Sequence, residues 1–242
     1  KVLVISDNLD LASFFIDEVT EQCPTLSVDI CYSSVNENPQ NLLKIGAKAV
    51  NLKEKSQVNQ IIEKYDLVFS IHCKQIFPNK LVETVDCINL HPGFNPFNRG
   101  WYPQVFTIIN KLPVGATLHI MTSSIDSGAI IAQELVDVYP EDTSLEIYER
   151  IVEVEKKLLR ENLQNLVSKD FHVVSPESEG NYNSINDFKS LCKLDLEEKG
   201  TMGYFIDRLR SLTHQPFKNA YFVDNEGNRV FISVNLSKEE KS

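Results

Sequence analysis

The sequence lacks any long apolar segment, and none of its runs approaches the roughly 18 consecutive apolar residues that a membrane-spanning helix needs. It is also poor in basic residues, with 24 Lys and Arg against 34 Asp and Glu and a formal net charge of −10. Proteins bind nucleic acid and anionic lipid through basic surfaces. We therefore expect neither nucleic acid nor a membrane as a partner, although a few local cations can still hold one small anionic substrate.

Cysteine forms no disulfide framework or metal-binding pattern here. The five cysteines are scattered, odd in number and without a C-x-x-C pair, at Cys23, Cys31, Cys73, Cys87 and Cys192. This usage is typical of reduced, buried thiols in a cytoplasmic protein. His72 and Cys73 have no further ligands at zinc-site spacing, so no metal is predicted. The apolar start, residues 1–5, has the pattern of a buried strand and is too short for a signal peptide.

Short apolar strand patterns alternate with helix patterns through the first half of the chain. The strands are predicted at residues 2–6, 27–32, 66–72 and 86–90, and the helices between them at 9–22, 55–64 and 79–85. Such alternation predicts an α/β fold, with a mostly parallel sheet covered by helices on both faces. The sheet resembles half of a Rossmann fold, but the first strand lacks the G-x-G-x-x-G turn of dinucleotide-binding proteins, which disfavours a nicotinamide cofactor.

The second half predicts two strands, a long helix and a smaller C-terminal part. A helix at 102–110 precedes strands at 114–121 and 128–136, and the long helix begins near Thr143, which forms a capping box with Glu146. After an exposed connector at 175–184, a helix at 201–212 and a β-hairpin at 220–234 are expected. We divide the chain into a catalytic domain, residues 1–170, and a small C-terminal segment, residues 171–242. The segment is expected to complete the substrate pocket and to form a homodimer.

The most informative segment is the Pro- and Gly-rich turn that follows the fourth strand. Asn89 and His91 are two apart on that strand, so their side chains point to the same face. Ligands of parallel sheets bind beyond the carboxyl ends of the strands. An amide donor beside an imidazole suits acyl transfer, because one group binds a developing oxyanion and another moves a proton. Taken singly, each has an ordinary interpretation, as does Asp126 in a later turn; the hypothesis depends on the three together.

Several motifs resemble those of the folate-dependent formyltransferase family. They are Asn89-Leu90-His91-Pro92, Arg99-Gly100 with Pro103, Gly115–His119 and Asp126–Gln133. The segments His72–Pro78, Trp101–Phe106, Leu209–His214 and Lys218–Phe222 resemble the branch that formylates amino sugars on dTDP. Gly93, Phe94 and Asn95 depart from the Ser and Leu pair that usually follow His-Pro in the family, which weakens a match to the transfer-RNA and purine-pathway members.

The resemblance implies a Rossmann-like formyltransferase fold and transfer of a formyl group from 10-formyltetrahydrofolate to the amine of a dTDP-amino-dideoxy sugar. Asn89 and His91 would donate hydrogen bonds to the carbonyl oxygen as it gains negative charge. Asp126 would orient the imidazole, favour its protonated form and take part in proton transfer. The motif that contains Gln75, Ile76 and Phe77 is expected to bind the tetrahydrofolate cofactor.

Four further residues are predicted to bind the sugar nucleotide, each with an alternative. Lys74 could face a pyrophosphate or be a solvated surface charge, and Arg99 could hold sugar or phosphate oxygens or fix its own loop. Trp101 could line the site or anchor the core, and Tyr221 could stack on thymine or pack within its strand. His119, in the middle of a strand, is expected to be a structural histidine.

The sequence is also compatible with three other functions. The chain could formylate another amine, such as that of methionyl-tRNA, although it lacks the large basic C-terminal domain usual in that class. It could hydrolyse formyl-folate, or it could be a non-catalytic nucleotide-binding α/β module in which Asn89, His91 and Asp126 meet by accident. The sequence does not decide whether the sugar amine is on the third or fourth carbon, nor whether the sugar is gluco or galacto.

Overall fold

A computed structural model describes residues 1–239; residues 240–242, the end of the predicted C-terminal segment, lie outside the described residues. The first elements are β1 (Val2–Ser6), α1 (Leu9–Gln22), β2 (Val28–Ser33), α2 (Gln40–Lys44), β3 (Lys48–Val50), α3 (Lys55–Lys64), β4 (Leu67–Ile71), α4 (Asn79–Val82) and β5 (Asp86–His91). Then follow β6 (Arg99–Gly100), α5 (Pro103–Asn110), β7 (Gly115–Ile120), β8 (Ile130–Leu135) and α6 (Ser144–Ser168). The C-terminal elements are β9 (Tyr182–Asn183), α7 (Ile185–Cys192), α8 (Met202–Leu212), β10 (Thr213–His214), β11 (Phe217–Lys218), β12 (Tyr221–Val223) and β13 (Arg229–Phe231).

A seven-stranded sheet in the order β3-β2-β1-β4-β5-β7-β8 forms the centre of the molecule. The five strands β1 to β5 are parallel, whereas β7 and β8 pair antiparallel at one edge. The α/β fold with a mostly parallel sheet is therefore confirmed. The polar turns after β1, β4 and β5 all lie beyond the carboxyl ends of their strands, which is where the sequence places the site.

The two faces of the sheet are covered by different helices. Val2 and Val4 of β1 belong to the core shared with α1 and α6, whereas Leu3 and Ile5 belong to the core shared with α3 and α4. The alternation follows from the two-residue period of a strand, and because both faces are buried the strand reads as a continuous apolar run. The helices on both faces fix the strand ends that carry the polar side chains.

The long helix α6 begins with the predicted capping box. The backbone N–H of Leu145 donates to the hydroxyl of Thr143 over 3.3 Å, and the N–H of Thr143 donates to the carboxylate of Glu146 over 2.8 Å. These bonds satisfy amides that have no partner within the helix. The helix carries Tyr148 and Glu155 past the carboxyl ends of β1 and β4, so a capping sequence more than 50 residues after β5 helps to build the crevice there.

The connector differs from its predicted form. Residues 175–180 are largely exposed as expected, but residues 182–183 form β9, which pairs in parallel with β6 in the turn that follows β5. Next, α7 and α8 pack against α5 through an apolar cluster that includes Val105, Cys192 and Leu212. The hairpin is formed by β12 and β13, as predicted. The division of the chain near residue 170 stays a prediction.

Two further features of the fold are the apolarity of its helices and the state of its cysteines. Among the helices of residues 1–239, none combines the length and the apolarity needed to cross a bilayer. The five cysteines are free thiols. Burial raises the pKa of the Cys73 and Cys87 thiols to about 12, so both are protonated at neutral pH.

Candidate active site

A crevice of about 1640 Å³ opens beyond the carboxyl ends of β1, β4 and β5. Its walls come from the turns after these strands, from the loop between β7 and β8, and from α6. His214 and Phe217 of the C-terminal part also line it. Asn89, His91 and Asp126 all face this one crevice, although 37 residues separate the first from the last.

The side chain of Asn89 is hydrogen-bonded on one side to a carboxylate and on the other to an imidazole. Its Nδ2 donates to Oδ1 of Asp126 over 3.1 Å and lies 3.2 Å from Nε2 of His119. His119 pairs with Asn89 across β5 and β7, and its Nδ1 lies 2.9 Å from the carbonyl oxygen of Ile120. In the tautomer whose Nδ1–H donates to this carbonyl, Nε2 of His119 carries a lone pair and can accept from the Asn89 amide.

His91 is buried beside the carboxylate, with its Nδ1 3.7 Å from Oδ2 of Asp126. The Nε2 atom of His91 is buried and has no hydrogen-bond partner among residues 1–239. A buried polar atom of this kind costs free energy unless something satisfies it. Nε2 is therefore the atom that a bound substrate would reach.

Burial sets the protonation of both groups. It lowers the pKa of His91 to about 4, although Asp126 acts in the opposite direction. For Asp126, burial acts to raise the pKa, but His91, His119 and the Gly100 N–H outweigh it and hold the pKa well below its usual range. Burial thus favours the neutral His91 imidazole, whereas Asp126, as expected from the sequence, favours the protonated form.

Gly93 makes room for the imidazole. A Cβ atom at position 93 would lie 2.4 Å from Nε2 of His91 and 3.3 Å from the ring of Pro103. The turn is held by Thr117, whose hydroxyl donates to the carbonyl of Gly93 over 2.7 Å and accepts from the N–H of Asn95 over 3.1 Å. A side chain at position 93 would collide with His91, which explains why a glycine stands here, where the sequence departs from the usual family motif.

Asp126 is fixed by its backbone as well as by its carboxylate. The residue has a left-handed φ of +49°, and its carbonyl accepts from Nδ2 of Asn95 over 2.9 Å. Nη1 of Arg99 donates to the carbonyl of Ile125 over 2.8 Å, and the N–H of Gly100 donates to Oδ2 of Asp126 over 3.1 Å. The turn after β5 thus holds the loop that carries the acid.

The three residues predicted to bind the cofactor line the crevice in different ways. Ile76 is 75% exposed and Phe77 is buried, so both offer apolar surface to the cavity. Gln75 is also buried, but its Nε2 donates to the carbonyl of Val50 over 2.8 Å and its Oε1 accepts from the N–H of Leu52 over 2.9 Å. Both ends of this amide hold the loop after β3, so Gln75 shapes the wall.

The residues predicted to bind the sugar nucleotide are divided by the structure. Lys74 and Trp101 are exposed and line the crevice. Arg99 is buried and bonds to the loop at Ile125, which is the alternative that the sequence left open. Tyr221 is not among the crevice residues, because β12 directs it against Phe231 and under the guanidinium of Arg229.

A second polar cluster in the crevice was not predicted from the sequence. Nε2 of His72 lies 2.8 Å from a carboxylate oxygen of Glu155, which is fully buried on α6. Nδ2 of Asn8 donates to the hydroxyl of Tyr148 over 3.1 Å and lies 3.4 Å from Nδ1 of His72. The sequence placed His72 beyond the end of its strand, at the predicted site. Glu155 was visible only as a carboxylate at an apolar position of α6, which helical periodicity does not relate to β4. His119 was also assigned a purely structural role, yet it bonds to Asn89.

Residues 1–239 contain no group of three or more His, Cys, Asp or Glu side chains arranged to hold a metal ion. An amide, an imidazole and a carboxylate around one cavity, at the carboxyl edge of a parallel sheet, are groups that suit an acyl- or formyl-transfer enzyme. Two family models match the chain, "Formyl transferase" over residues 28–163 and "N-formyltransferase dimerization C-terminal domain" over residues 187–238. The protein belongs to the formyltransferase family.

Relatives resemble the chain over its whole length. It is 40% identical over 239 residues to dTDP-4-amino-4,6-dideoxyglucose formyltransferase of Mycobacterium tuberculosis, a match that covers 99% of this chain and 97% of the relative. The structure of a sugar N-formyltransferase from a Shewanella species superposes with a TM-score of 0.96 at 45% identity, covering 99% and 98% of the two chains. A 4-N formyltransferase from Francisella tularensis gives 0.90 at 42% identity, covering 98% of each chain. A methionyl-tRNA formyltransferase from Ligilactobacillus salivarius is 28% identical and is covered over 64% of its length.

Proposed function

We propose that the protein transfers a formyl group from 10-formyltetrahydrofolate to the amine of a dTDP-amino-dideoxyhexose, with the 4-amino-4,6-dideoxyglucose compound as the first acceptor to test. The observation that carries the proposal is the convergence of Asn89, His91 and Asp126 on one crevice. The name of the M. tuberculosis relative supports the acceptor, because the match extends over nearly all of both chains.

Asn89 and His91 perform different parts of the reaction. Nδ2 of Asn89 is the donor that can turn to the carbonyl oxygen as it gains negative charge. Asp126 lies near Nδ1 of His91 and favours the tautomer with its proton there, which leaves a lone pair on Nε2. That atom accepts the proton that the attacking amine must lose, and can return it to the departing nitrogen. This refines the expectation that both residues donate to the oxyanion.

The walls of the crevice fit both substrates. Bound 10-formyltetrahydrofolate would supply the activated formyl group, and its flat ring system would need an apolar wall such as that formed by Ile76, Phe77 and Met121. Lys74 supplies a cation for a pyrophosphate, and the exposed rings of Trp101 and Phe217 offer surfaces on which a thymine can stack. Phe217 offers the stacking surface that was one of the two alternatives for Tyr221, which instead packs against Phe231.

Incubation of the protein with 10-formyltetrahydrofolate and dTDP-4-amino-4,6-dideoxyglucose tests the proposal. Mass spectrometry should show the sugar nucleotide gaining one formyl group, and a panel with the amine on the third carbon and with galacto sugars should identify the preferred acceptor. Omission of the acceptor tests for hydrolysis of the donor, which would appear as free formate. Absence of product with every sugar, together with formylation of methionyl-tRNA, would refute the proposed acceptor.

We also propose a homodimer and a cytoplasmic location. The matched C-terminal family is described as a dimerization domain, and this part of the chain carries the exposed apolar side chains of Met202 and Phe231. Five free thiols favour a reducing compartment. The net charge of −10 supports a partner other than nucleic acid.

A further inference from the structure

Four asparagines form a cluster, which we call the amide cluster, between the turn after β5 and the connector. Its members are Asn98, Asn110, Asn181 and Asn183. Asn98 is fully buried at its centre, and its Oδ1 accepts from Nδ2 of Asn110 over 2.8 Å, of Asn181 over 3.0 Å and of Asn183 over 3.4 Å. Three donors on one amide oxygen make a tight junction between segments that are more than 80 residues apart in the chain.

Asn181 makes the most complete contact within the amide cluster. Its Oδ1 accepts from the backbone N–H of Asn98 over 2.8 Å, while its own Nδ2 donates to the Asn98 side chain. Asn98 has a left-handed φ of +51°, a backbone conformation that persists in a non-glycine residue only when its surroundings enforce it. The Asn181 side chain therefore holds the turn in its unusual conformation.

The backbone continues this contact toward the catalytic acid. The N–H of Arg99 donates to the carbonyl of Asn181 and the N–H of Trp101 donates to the carbonyl of Asn183, each over 3.0 Å. The N–H of Gly100, between these two, has no partner in the connector and donates instead to Oδ2 of Asp126 over 3.1 Å. Gly100 has a left-handed φ of +92°.

We propose that Asn181 is a positioning residue for the reaction: through the pairing of β6 with β9 it holds the Gly100 N–H on the Asp126 carboxylate. The inference rests on the proposed catalytic role of Asp126. Because α7 begins two residues after β9, the contact also links the start of the C-terminal part to the catalytic acid. The connector is thus a component of the active site rather than a simple tether.

A variant pair separates this role from general stability. Asn181→Ala removes both side-chain bonds, whereas Ser178→Ala alters an exposed residue of the same connector and is the matched control. A displacement of about 1 Å in a catalytic group can cost about 10²-fold in rate. We expect Asn181→Ala to lower kcat at least tenfold with KM within about threefold, and Ser178→Ala to leave both unchanged. Asn181→Asp keeps the oxygen that accepts from Asn98 and should restore part of the loss.

Nuclear magnetic resonance tests the contact without any activity. Gly100 is the only glycine that follows an arginine in the sequence, so ¹⁵N-glycine labelling combined with ¹³C-carbonyl arginine selects its amide signal. Asp126→Asn removes the charge from the acceptor and defines the shift of the weakened bond. Asn181→Ala should move the Gly100 signal toward that shift, and Ser178→Ala should not.

The combined results decide between the possibilities. An unchanged Gly100 signal in Asn181→Ala overturns the inference whatever the rate does, and so does a moved signal with an unchanged kcat. If Asn181→Ala fails to fold, the same two readouts on Asn181→Asp decide, with an intermediate change expected. If the wild type formylates no amino sugar while the signals move as expected, the proposed function is refuted. The effect of Asn181 on the hydrogen bond between Gly100 and Asp126 is then still supported.

Discussion

In Asn89, one amide nitrogen has competing partners. In the unliganded protein Nδ2 faces Asp126 and His119, yet an oxyanion needs the same donor. The Asp126 carboxylate has a second donor, since the N–H of Gly100 also donates to it. The amide can therefore be released toward a substrate without leaving a bare buried charge.

We expect Asn89→Ala to lower kcat by about 10²–10³-fold, the usual cost of losing one oxyanion donor. Steady-state assays with the preferred dTDP-amino sugar measure this loss, and thermal unfolding checks that the fold is retained. Asn186→Ala, at an exposed position of α7, is the matched control and should keep the wild-type rate. A wild-type rate in Asn89→Ala would show that the oxyanion is stabilised by other groups.

His91 should make stability depend on pH. Its folded pKa of about 4 lies below the ordinary value of 6.5, so between these values the unfolded chain binds a proton that the native protein does not. The stabilisation that comes from the lowered His91 pKa is therefore complete above about pH 6.5 and is lost as the pH falls toward 4. The free energy of unfolding should fall by about 2 kcal/mol between pH 7 and pH 5. Urea unfolding at the two pH values measures the difference.

The variant His91→Gln should lose less stability over this interval, because it removes the group whose protonation the native state resists. His172→Gln, at an exposed position, should follow the wild type. Equal pH dependence in His91→Gln and wild type would show that burial does not lower the pKa of His91 in the native protein.

At the residue scale, the sequence was most informative where neighbours in the chain are neighbours in space. Asn89 and His91 were placed together by the two-residue period of a strand, whereas Asp126, in a distant turn, was joined to them only as a hypothesis that the family resemblance strengthened. Phe217 was missed and Tyr221 was placed in the crevice, because which aromatic of the C-terminal part faces the cavity depends on how that part packs. No local pattern contains that information.

At the scale of elements, long periodic segments were predicted well and short ones were not. The bounds of α1 and α3 agree with the predicted helices, since each has a full apolar stripe and a clear start. The two-residue strands β6 and β9 were missed, because they pair across 83 residues and have no periodicity of their own. The same distant pairing turns part of a predicted exposed connector into a wall of the site.

The turn after β5 yields a prediction at this scale. Gly93→Ala places a Cβ atom within contact of His91 Nε2, so the imidazole must rotate or the turn must shift. We expect kcat to fall at least tenfold with little change in the melting temperature. The control is Gly203→Ala on α8, where the nearest atom lies 3.9 Å from the added Cβ. Full activity in Gly93→Ala would mean that the position of Nε2 does not limit the reaction.

At the scale of the whole molecule, the crevice belongs to both parts of the chain. His214 and Phe217 reach it from the C-terminal part, and the ring of His214 lies 5.5 Å from that of Tyr148 on α6. The serine hydroxyl of Ser144 at the start of α6 also donates to the carbonyl of Thr213 over 2.9 Å. We therefore expect a dimer formed through the C-terminal part to influence the side chains that line the crevice.

We expect the C-terminal part to form a dimer in solution. The exposed apolar side chains of the C-terminal part are stabilised when they are buried, and a second copy of the chain can bury them in a symmetric interface. Light scattering should give twice the 27.6 kDa chain mass. Phe231→Asp places a charge on the exposed hairpin and should shift the protein toward monomer, whereas Leu43→Asp, at an exposed apolar position on α2, should not. A monomeric wild type would contradict the dimer; a dimeric Phe231→Asp would exclude the hairpin as its interface and direct attention to α8.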